Sequence, residues 1–171
     1  MIKRITVLFS TLIIICAALG GCSGKPENIS DARVVQAYYD ELTESYFEYV
    51  GGSSLSMAPE AVKANVEART SGLARFDKMT PPPEFAVRHA EIMKASEKEH
   101  DWNTQLGAYA NGGISYDELL NEKTRIFGEG RLMESEFTTK ILEMGNELYN
   151  DPRTTASEEQ EKLQVLYQLF S

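Results

Sequence analysis

The sequence contains few of the side chains that most often carry catalysis or bind metals. Its 171 residues include two cysteines, two histidines and one tryptophan. Both cysteines, Cys16 and Cys22, lie near the N-terminal end, so no thiol occurs beyond residue 22. The rest of the chain therefore has no disulfide, thiolate nucleophile or cysteine-bound metal, and its fold depends on a hydrophobic core. A chain of about 150 residues is long enough to bury such a core in one domain.

Basic residues are also scarce. There are 17 lysines and arginines against 26 aspartates and glutamates, which gives a formal net charge of −9. An acidic protein is repelled by phosphate backbones and by anionic lipid head groups. We therefore exclude nucleic acid as a partner, and we expect the membrane to be an anchor point for this body and not a docking surface.

Only one long apolar run is present, from Ile5 to Leu19, and Lys3 and Arg4 precede it. The run is shorter than the roughly 20 residues that a spanning helix needs. A basic start, an apolar stretch and small residues after it are the three parts of an export signal. No later segment is comparably apolar, so the sequence predicts no membrane-spanning helix in the body.

The end of this run, Leu19-Gly20-Gly21-Cys22, resembles the lipobox of bacterial lipoproteins. The resemblance implies cleavage between Gly21 and Cys22 and a thioether-linked diacylglycerol on Cys22. It divides the chain into a signal peptide at 1–21, a lipidated tether at 22–29 and a single helical-bundle domain at 30–171.

The implied lipid also predicts where the body works. Two acyl chains are enough for stable anchoring, and the six linker-like residues at 23–28 extend about 20 Å. The body is therefore expected close to the extracytoplasmic face of a cell membrane. Ser23 does not resemble the aspartate of an inner-membrane retention signal, which favours the outer membrane in a two-membrane cell.

Helical periodicity dominates after residue 28, and glycines or prolines interrupt it. Ser115 and Glu118 form a possible capping box at the best-marked helix start. The apolar spacing predicts helices from Ser30 to Val50, Pro59 to Met79, Pro83 to Ala110, Ser115 to Tyr149, and from Thr155 or Ser157 onward.

Short connections between long amphipathic helices favour antiparallel neighbours. The predicted fold is all-α, an up-and-down antiparallel four-helix bundle with an additional C-terminal helix. Gly128 and Gly130 lie inside the fourth helical pattern, so we expect a kink there or the close approach of a neighbour. No alternating strand pattern competes with this prediction.

The two histidines define a polar seam on the predicted third helix. His89, Ser96 and Asn103 follow one edge of its apolar face, and His100 lies slightly further round. One interpretation is a ligand or metal site. The other is a hydrogen-bonded layer that fixes helix register, because buried polar groups need partners.

Metal and haem sites have incomplete ligand sets in this sequence. Glu97 and His100 form a Glu-x-x-His step, which ferritin-like di-iron bundles use twice together with two further glutamates. The step occurs once here, so Glu97 and His100 are candidate metal ligands that lack the second Glu-x-x-His step of a di-iron site. Haem ligation by two histidines within one chain fails because both lie on one helix. We predict no cofactor.

Motifs for nucleophilic catalysis are missing as well. The chain has neither a Gly-x-Ser-x-Gly elbow nor a Ser-x-x-Lys step of the penicillin-binding type. Gly128-Glu129-Gly130 lies in a helical pattern and follows no strand, which argues against a phosphate-binding loop. The sequence therefore predicts a protein that is not an enzyme.

Aromatic residues crowd the predicted first helix. Tyr38, Tyr46 and Tyr49 fit its core stripe, whereas Tyr39 and Phe47 fit it less well. Core packing with the hydroxyls reaching the rim is one interpretation. An exposed Tyr39 and Phe47 would instead form a partner face, because aromatic residues concentrate in binding hot spots.

Together these observations predict a membrane-anchored extracytoplasmic lipoprotein whose body is a non-enzymatic binding module for an envelope protein or peptide. The alternative is a carrier of a small molecule, metal or haem that uses the seam of His89, Ser96, His100 and Asn103. An enzyme acting on envelope material is a third hypothesis, and it lacks a catalytic set.

Overall fold

The computed structural model describes residues 29–51, 56–129 and 135–171, and their regular structure is entirely helical. The prediction of an all-α protein is confirmed. The predicted signal peptide, Gly21, Cys22 and the tether up to residue 28 lie outside the described residues. The helices are α1 Ala32–Gly51, α2 Pro59–Phe76, α3 Ala86–Ala110, α4 Tyr116–Phe127, α5 Glu136–Tyr149 and α6 Glu158–Phe170, with a 3₁₀ turn Pro83–Phe85 directly before α3.

The cap of the first helix lies one residue later than the predicted cap, Ser30, and the helix itself begins at Ala32. The carboxylate of Asp31 accepts a hydrogen bond from the backbone N–H of Arg33 at 2.8 Å, which is the bond of an N-cap. Ser30 is occupied elsewhere, since its N–H and its hydroxyl both donate to the carboxylate of Glu84 at 3.1 and 2.9 Å. The structure therefore assigns the cap to Asp31 and gives Ser30 a long-range role.

The predicted fourth helix is two helices. Ser115 and Glu118 form the expected capping box at the start of α4. Gly128 then ends α4 with φ +85°, a conformation that only glycine adopts without strain, so the helix ends at this residue where a kink was expected. Gly130, the other glycine of that prediction, lies outside the described residues. A new cap follows, because the Ser135 hydroxyl accepts from the backbone N–H of Thr138 at the start of α5.

The C-terminal helix α6 docks on the rest of the protein. Ser157 and Gln160 form a second capping box, and Leu163 is fully buried. Gly145 of α5 permits this packing, since a Cβ at that position would lie 2.5 Å from a methyl of Leu163. As a result α6 packs against both α5 and α1.

The helices meet in a closed series of neighbours. Helix α1 packs against α2, α2 against α3, α3 against α5, and α5 against α1, while α4 packs against α3 alone within the described part of the chain. At the α1–α2 contact, Arg75 pairs with Glu41 at 2.9 Å and with Glu44 at 2.6 Å. Gly72 lets the two backbones approach, because a Cβ there would lie 2.6 Å from the backbone nitrogen of Tyr49.

The buried apolar side chains fall into two clusters. The larger one draws on α1, the C-terminal part of α2, the N-terminal part of α3, α5 and α6, and the smaller one joins the N-terminal part of α2, the C-terminal part of α3, and α4. The smaller cluster has Val62, Leu106 and Leu119 at its centre. Among the described helices, none is long and apolar enough to cross a bilayer.

A polar clasp closes the end of the body where α1 begins. Arg153, in the loop between α5 and α6, donates to Glu84 at 2.5 Å and to the backbone carbonyl of Ser30 at 3.2 Å. Burial alone raises the pKa of Glu84, but hydrogen bonds from its own backbone N–H, from Arg153 and from Ser30 together outweigh burial and lower the pKa to about 2. The clasp thus ties three segments that are far apart in sequence.

Candidate functional site

The polar seam lies on the side of α3 that meets α2 and α1. His89 is buried, and its Nδ1 lies 3.0 Å from the hydroxyl of Tyr38 on α1. The ring of Tyr38 stacks on Phe85 and meets His89 edge-on. Burial lowers the pKa of His89 below its usual 6.5, so the imidazole is neutral at pH 7.

The seam residues Ser96 and Asn103 both have hydrogen-bond partners. The Ser96 hydroxyl donates to the backbone carbonyl of Met93 at 2.7 Å. Asn103 reaches across to α2, where its amide donates to the hydroxyl of Thr70 at 2.7 Å and to the carbonyl of Val66 at 3.4 Å. Asn103 is therefore a link between two helices.

His100 lies at the surface and is 43% exposed at its side chain, with its Nε2 3.2 Å from a carboxylate oxygen of Asp77. Glu97 is exposed. Within the described residues, no group of three or more histidine, cysteine, aspartate or glutamate side chains is arranged to hold a metal ion. Glu97 and His100 thus have no third ligand among those residues.

Three of the four seam residues border one open cleft of about 510 Å³ that runs along α3 beside Asp77, the residue after the end of α2. His89, Ser96 and His100 line it together with Asp77 and Met93, whereas Asn103 does not. We call this the seam cleft. It offers an imidazole, a hydroxyl and a carboxylate to a small polar molecule, and it is wide open to solvent.

The most deeply buried charged group is one that the sequence analysis missed. Glu99 on α3 is 2% exposed, and its Oε2 accepts from Arg69 and from the Tyr49 hydroxyl, both at 2.5 Å. The guanidinium of Arg69 also lies 4.4 Å from the centre of the Tyr49 ring. These three side chains, here called the buried ion-pair cluster, join α1, α2 and α3.

The spacing of apolar residues along α2 indicates part of the buried ion-pair cluster. Arg69 continues the apolar series of Val62 and Val66 toward Leu73 at intervals of three and four residues, so it sits on the core side of α2. A charged residue at a stripe position is rarely fully buried unless it is paired. That observation predicts a buried partner, although not which carboxylate provides it.

The buried ion-pair cluster lies between the two apolar clusters. On α3, Glu99 and Asn103 lie between Ala95 of the larger cluster and Leu106 of the smaller one. Two of the cluster's atoms, Glu99 Oε1 and Arg69 Nε, are buried without a hydrogen-bond partner among the described residues. The arrangement fixes how the three helices align, and it offers no open surface on which a substrate could react.

The predicted partner face on α1 is corrected by the structure. Tyr39 is fully buried, because α1 is covered by α5 and α6 as well as by α2. Phe47 is partly buried, packs against the larger apolar cluster and meets Tyr46 edge-on. Tyr39 therefore offers no surface to a partner, and the pair cannot act as an exposed aromatic patch.

Comparison of the chain with known protein families, with characterised proteins and with solved structures finds no match.

Proposed function

We propose that this chain is a lipoprotein anchored through Cys22 on the extracytoplasmic side of a bacterial membrane, and that its helical body binds another envelope protein or peptide. The anchor is supported by the order of basic start, apolar run and Leu19-Gly20-Gly21-Cys22. The binding role is supported by an exposed apolar face on α6, which is the observation that carries it.

We propose the finer fold as an antiparallel four-helix bundle of α1, α2, α3 and α5. Its support is the closed series of contacts among these four helices and the pairing of Arg75 near the end of α2 with Glu41 and Glu44 in the middle of α1. In this arrangement α6 is an additional helix on the α1–α5 side and α4 an additional helix on α3.

The apolar face of α6 is formed by Val165 and Leu169, one helical turn apart and 53% and 71% exposed. Both are on the opposite side of the helix from the buried Leu163. Phe170, 52% exposed, borders a cleft of about 330 Å³ between α6 and the first turns of α5, with Leu142 in its wall. Clustered exposed apolar residues of this kind mark interaction sites.

The chemistry of this face indicates the kind of partner. Aliphatic side chains of the partner would pack on Val165 and Leu169, and one side chain would enter the cleft beside Phe170. Three glutamates, Glu158, Glu159 and Glu161, open the same helix, and the whole chain is acidic. The best-fitting partner is therefore an aliphatic segment flanked by lysine or arginine.

Photo-crosslinking in intact cells tests the binding role. A photoreactive amino acid at Leu169 is expected to capture one envelope protein through a peptide with aliphatic residues and basic flanks, and Val165→Glu should abolish that product. The matched control is the same probe at the neighbouring exposed Gln168. Equal products from both positions, or a Leu169 product that persists in Val165→Glu, contradict the proposal.

Lipid labelling tests the anchor separately. Growth with an alkyne-tagged fatty acid is expected to label the wild-type chain and the Cys16→Ala variant, because Cys16 lies in the predicted signal peptide. Cys22→Ala should carry no label and should leave the membrane fraction. Labelling that survives in Cys22→Ala refutes the assignment of the anchor.

A second candidate function, a small-molecule carrier, is favoured by the seam cleft. His89, Ser96 and His100 belong to the seam that the sequence predicts, and they border the same space of about 510 Å³. Protein purified without a histidine tag is expected to retain a ligand that native mass spectrometry detects and that His100→Ala releases. A ligand-free protein in that measurement leaves the binding module as the function.

A further inference from the structure

The end of the body that carries the clasp also carries exposed aliphatic side chains. We define the tether face as residues 29–34, 77–88 and 149–155, three segments that the bonds among Ser30, Glu84 and Arg153 hold together. Two of the most exposed large apolar residues in the described chain lie on it, Val87 at 75% and Ile29 at 68%.

A third aliphatic residue, Val34, is 51% exposed at the same end and borders a broad groove between α1 and the end of α2. None of these three side chains contributes to either apolar cluster. Each sits within four residues of Ser30 or Glu84, so they surround the point where the described chain begins. The exposure of these aliphatic side chains to water is unfavourable, and they are stabilised when they enter an apolar or interfacial environment.

The three segments of the tether face carry no net charge of their own. The whole chain has a net charge of −9, which argues against a membrane docking through its surface in general. The tether face, in contrast, is neutral, because it holds four acidic and four basic residues: Asp31, Asp77, Glu84 and Asp151 with Arg33, Lys78, Arg88 and Arg153.

The length of the tether keeps this face near the bilayer, a step that rests on the proposed lipidation of Cys22. From Cys22 to Ile29 the chain can extend at most about 25 Å. The opposite end of the molecule is further away by roughly the length of α3, whose 25 residues span about 37 Å. Of the two ends, only the tether face lies within immediate reach of the lipid surface.

We propose that the tether face rests on the bilayer, with Ile29, Val34 and Val87 in the head-group region of the leaflet to which the lipid is anchored. The occupant of this apolar face is thus the lipid surface itself. The lipid supplies the attachment, and the three aliphatic side chains give the body a fixed orientation, with α4 and the smaller apolar cluster directed away from the membrane.

The lack of other thiols makes the test direct. Once Cys22 is lipidated and residues 1–21 are removed, the mature chain has no free cysteine, so an introduced cysteine takes a fluorophore at one position only. We would introduce Val87→Cys, and Leu120→Cys on α4 as the matched control, since Leu120 is 43% exposed at the other end. The lipidated full-length mature proteins are then reconstituted in phosphatidylcholine vesicles that contain a head-group-proximal quencher lipid.

The probe at Val87 is expected to be quenched several-fold more than the probe at Leu120, and Val34→Asp should reduce that quenching while Val165→Asp on α6 leaves it unchanged. Vesicle flotation of the same samples separates the two proposals. Proteins that float with equally weak quenching at both positions overturn the resting orientation while the anchor stands. Proteins that carry no lipid and do not float overturn the anchor, and this inference with it.

Discussion

Arg69 and Glu99 form an ion pair that water scarcely reaches, with side-chain exposures of 11% and 2%. Burying two charges is costly, and the cost is recovered only through close geometry and additional hydrogen bonds. Tyr49 supplies one such bond, and its pKa is raised because burial disfavours the phenolate. The cluster thus sets the relative position of three helices at little or no net gain in stability.

Removal of one partner should be far more harmful than removal of both. Glu99→Ala leaves the Arg69 charge buried and unpaired, and we expect a loss of about 3–5 kcal/mol in the free energy of unfolding. The double variant Arg69→Met/Glu99→Leu should recover most of that loss. Urea denaturation measures both, with the exposed Glu97→Ala as a control that changes stability by less than about 0.5 kcal/mol. A double variant that is no more stable than Glu99→Ala would contradict the interpretation.

Acid sensitivity should trace to His89. Its pKa is lowered in the folded protein because burial disfavours the imidazolium, so the unfolded chain binds a proton more readily. The stability contributed by neutral His89 is present above pH 6.5 and falls as the pH drops below that value. His89→Asn, which keeps an acceptor for Tyr38, should flatten this part of the curve of Tm against pH. His100→Asn is the control, and an unchanged curve for His89→Asn would count against this assignment.

At the scale of elements, the sequence predicts most of the helices, but it does not predict that the fourth one divides into two. The starts at Pro59 and Ser115 and the order of the helices follow from local signals, which proline and a capping box carry in a few residues. Apolar spacing continues from Ile126 to Phe137, so periodicity alone does not show a break. Gly128 has a positive φ, a backbone conformation that glycine can adopt but need not adopt, so its presence in the sequence does not predict the break.

Two helix-interior glycines make a matched pair for testing the close contact of α1 and α2. Gly72→Ala places a Cβ 2.6 Å from the Tyr49 backbone, so the helices must separate and we expect a loss of about 1–3 kcal/mol. Gly107→Ala meets only a methyl of Val66 at 3.8 Å and should stabilise α3 by up to about 1 kcal/mol. Thermal unfolding of both variants gives the comparison, and a Gly72→Ala protein as stable as Gly107→Ala would refute the tight contact.

At the scale of the whole molecule, the protein has two apolar clusters with a polar layer between them. Stripe positions in the sequence identify many of the buried residues, including Val62, Leu73 and Leu163. They do not predict that Tyr39 is buried, because its burial depends on which helices cover the far side of α1. Contacts between helices distant in the chain, such as α1 with α6, lie beyond what local spacing encodes.

The smaller cluster should open more readily than the larger one. Among the described helices, α4 packs closely on α3 alone, and it buries Leu119 and Ile126 as its core contacts, so little is lost when it detaches. Hydrogen exchange followed by mass spectrometry should show faster exchange for α4 than for α1. Leu119→Ala should accelerate exchange in α4 and leave α1 unchanged, whereas uniform acceleration of both helices would show that the body unfolds as one unit.

The clasp at the start of α1 has a mechanical consequence for a tethered protein. Any pull that the N-terminal segment transmits arrives at Ser30, where bonds to Glu84 and Arg153 divert it into the entrance of α3 and the loop after α5. The tension is then shared by three segments of the chain, and α1 is protected from unfolding one turn at a time from its N-terminal end.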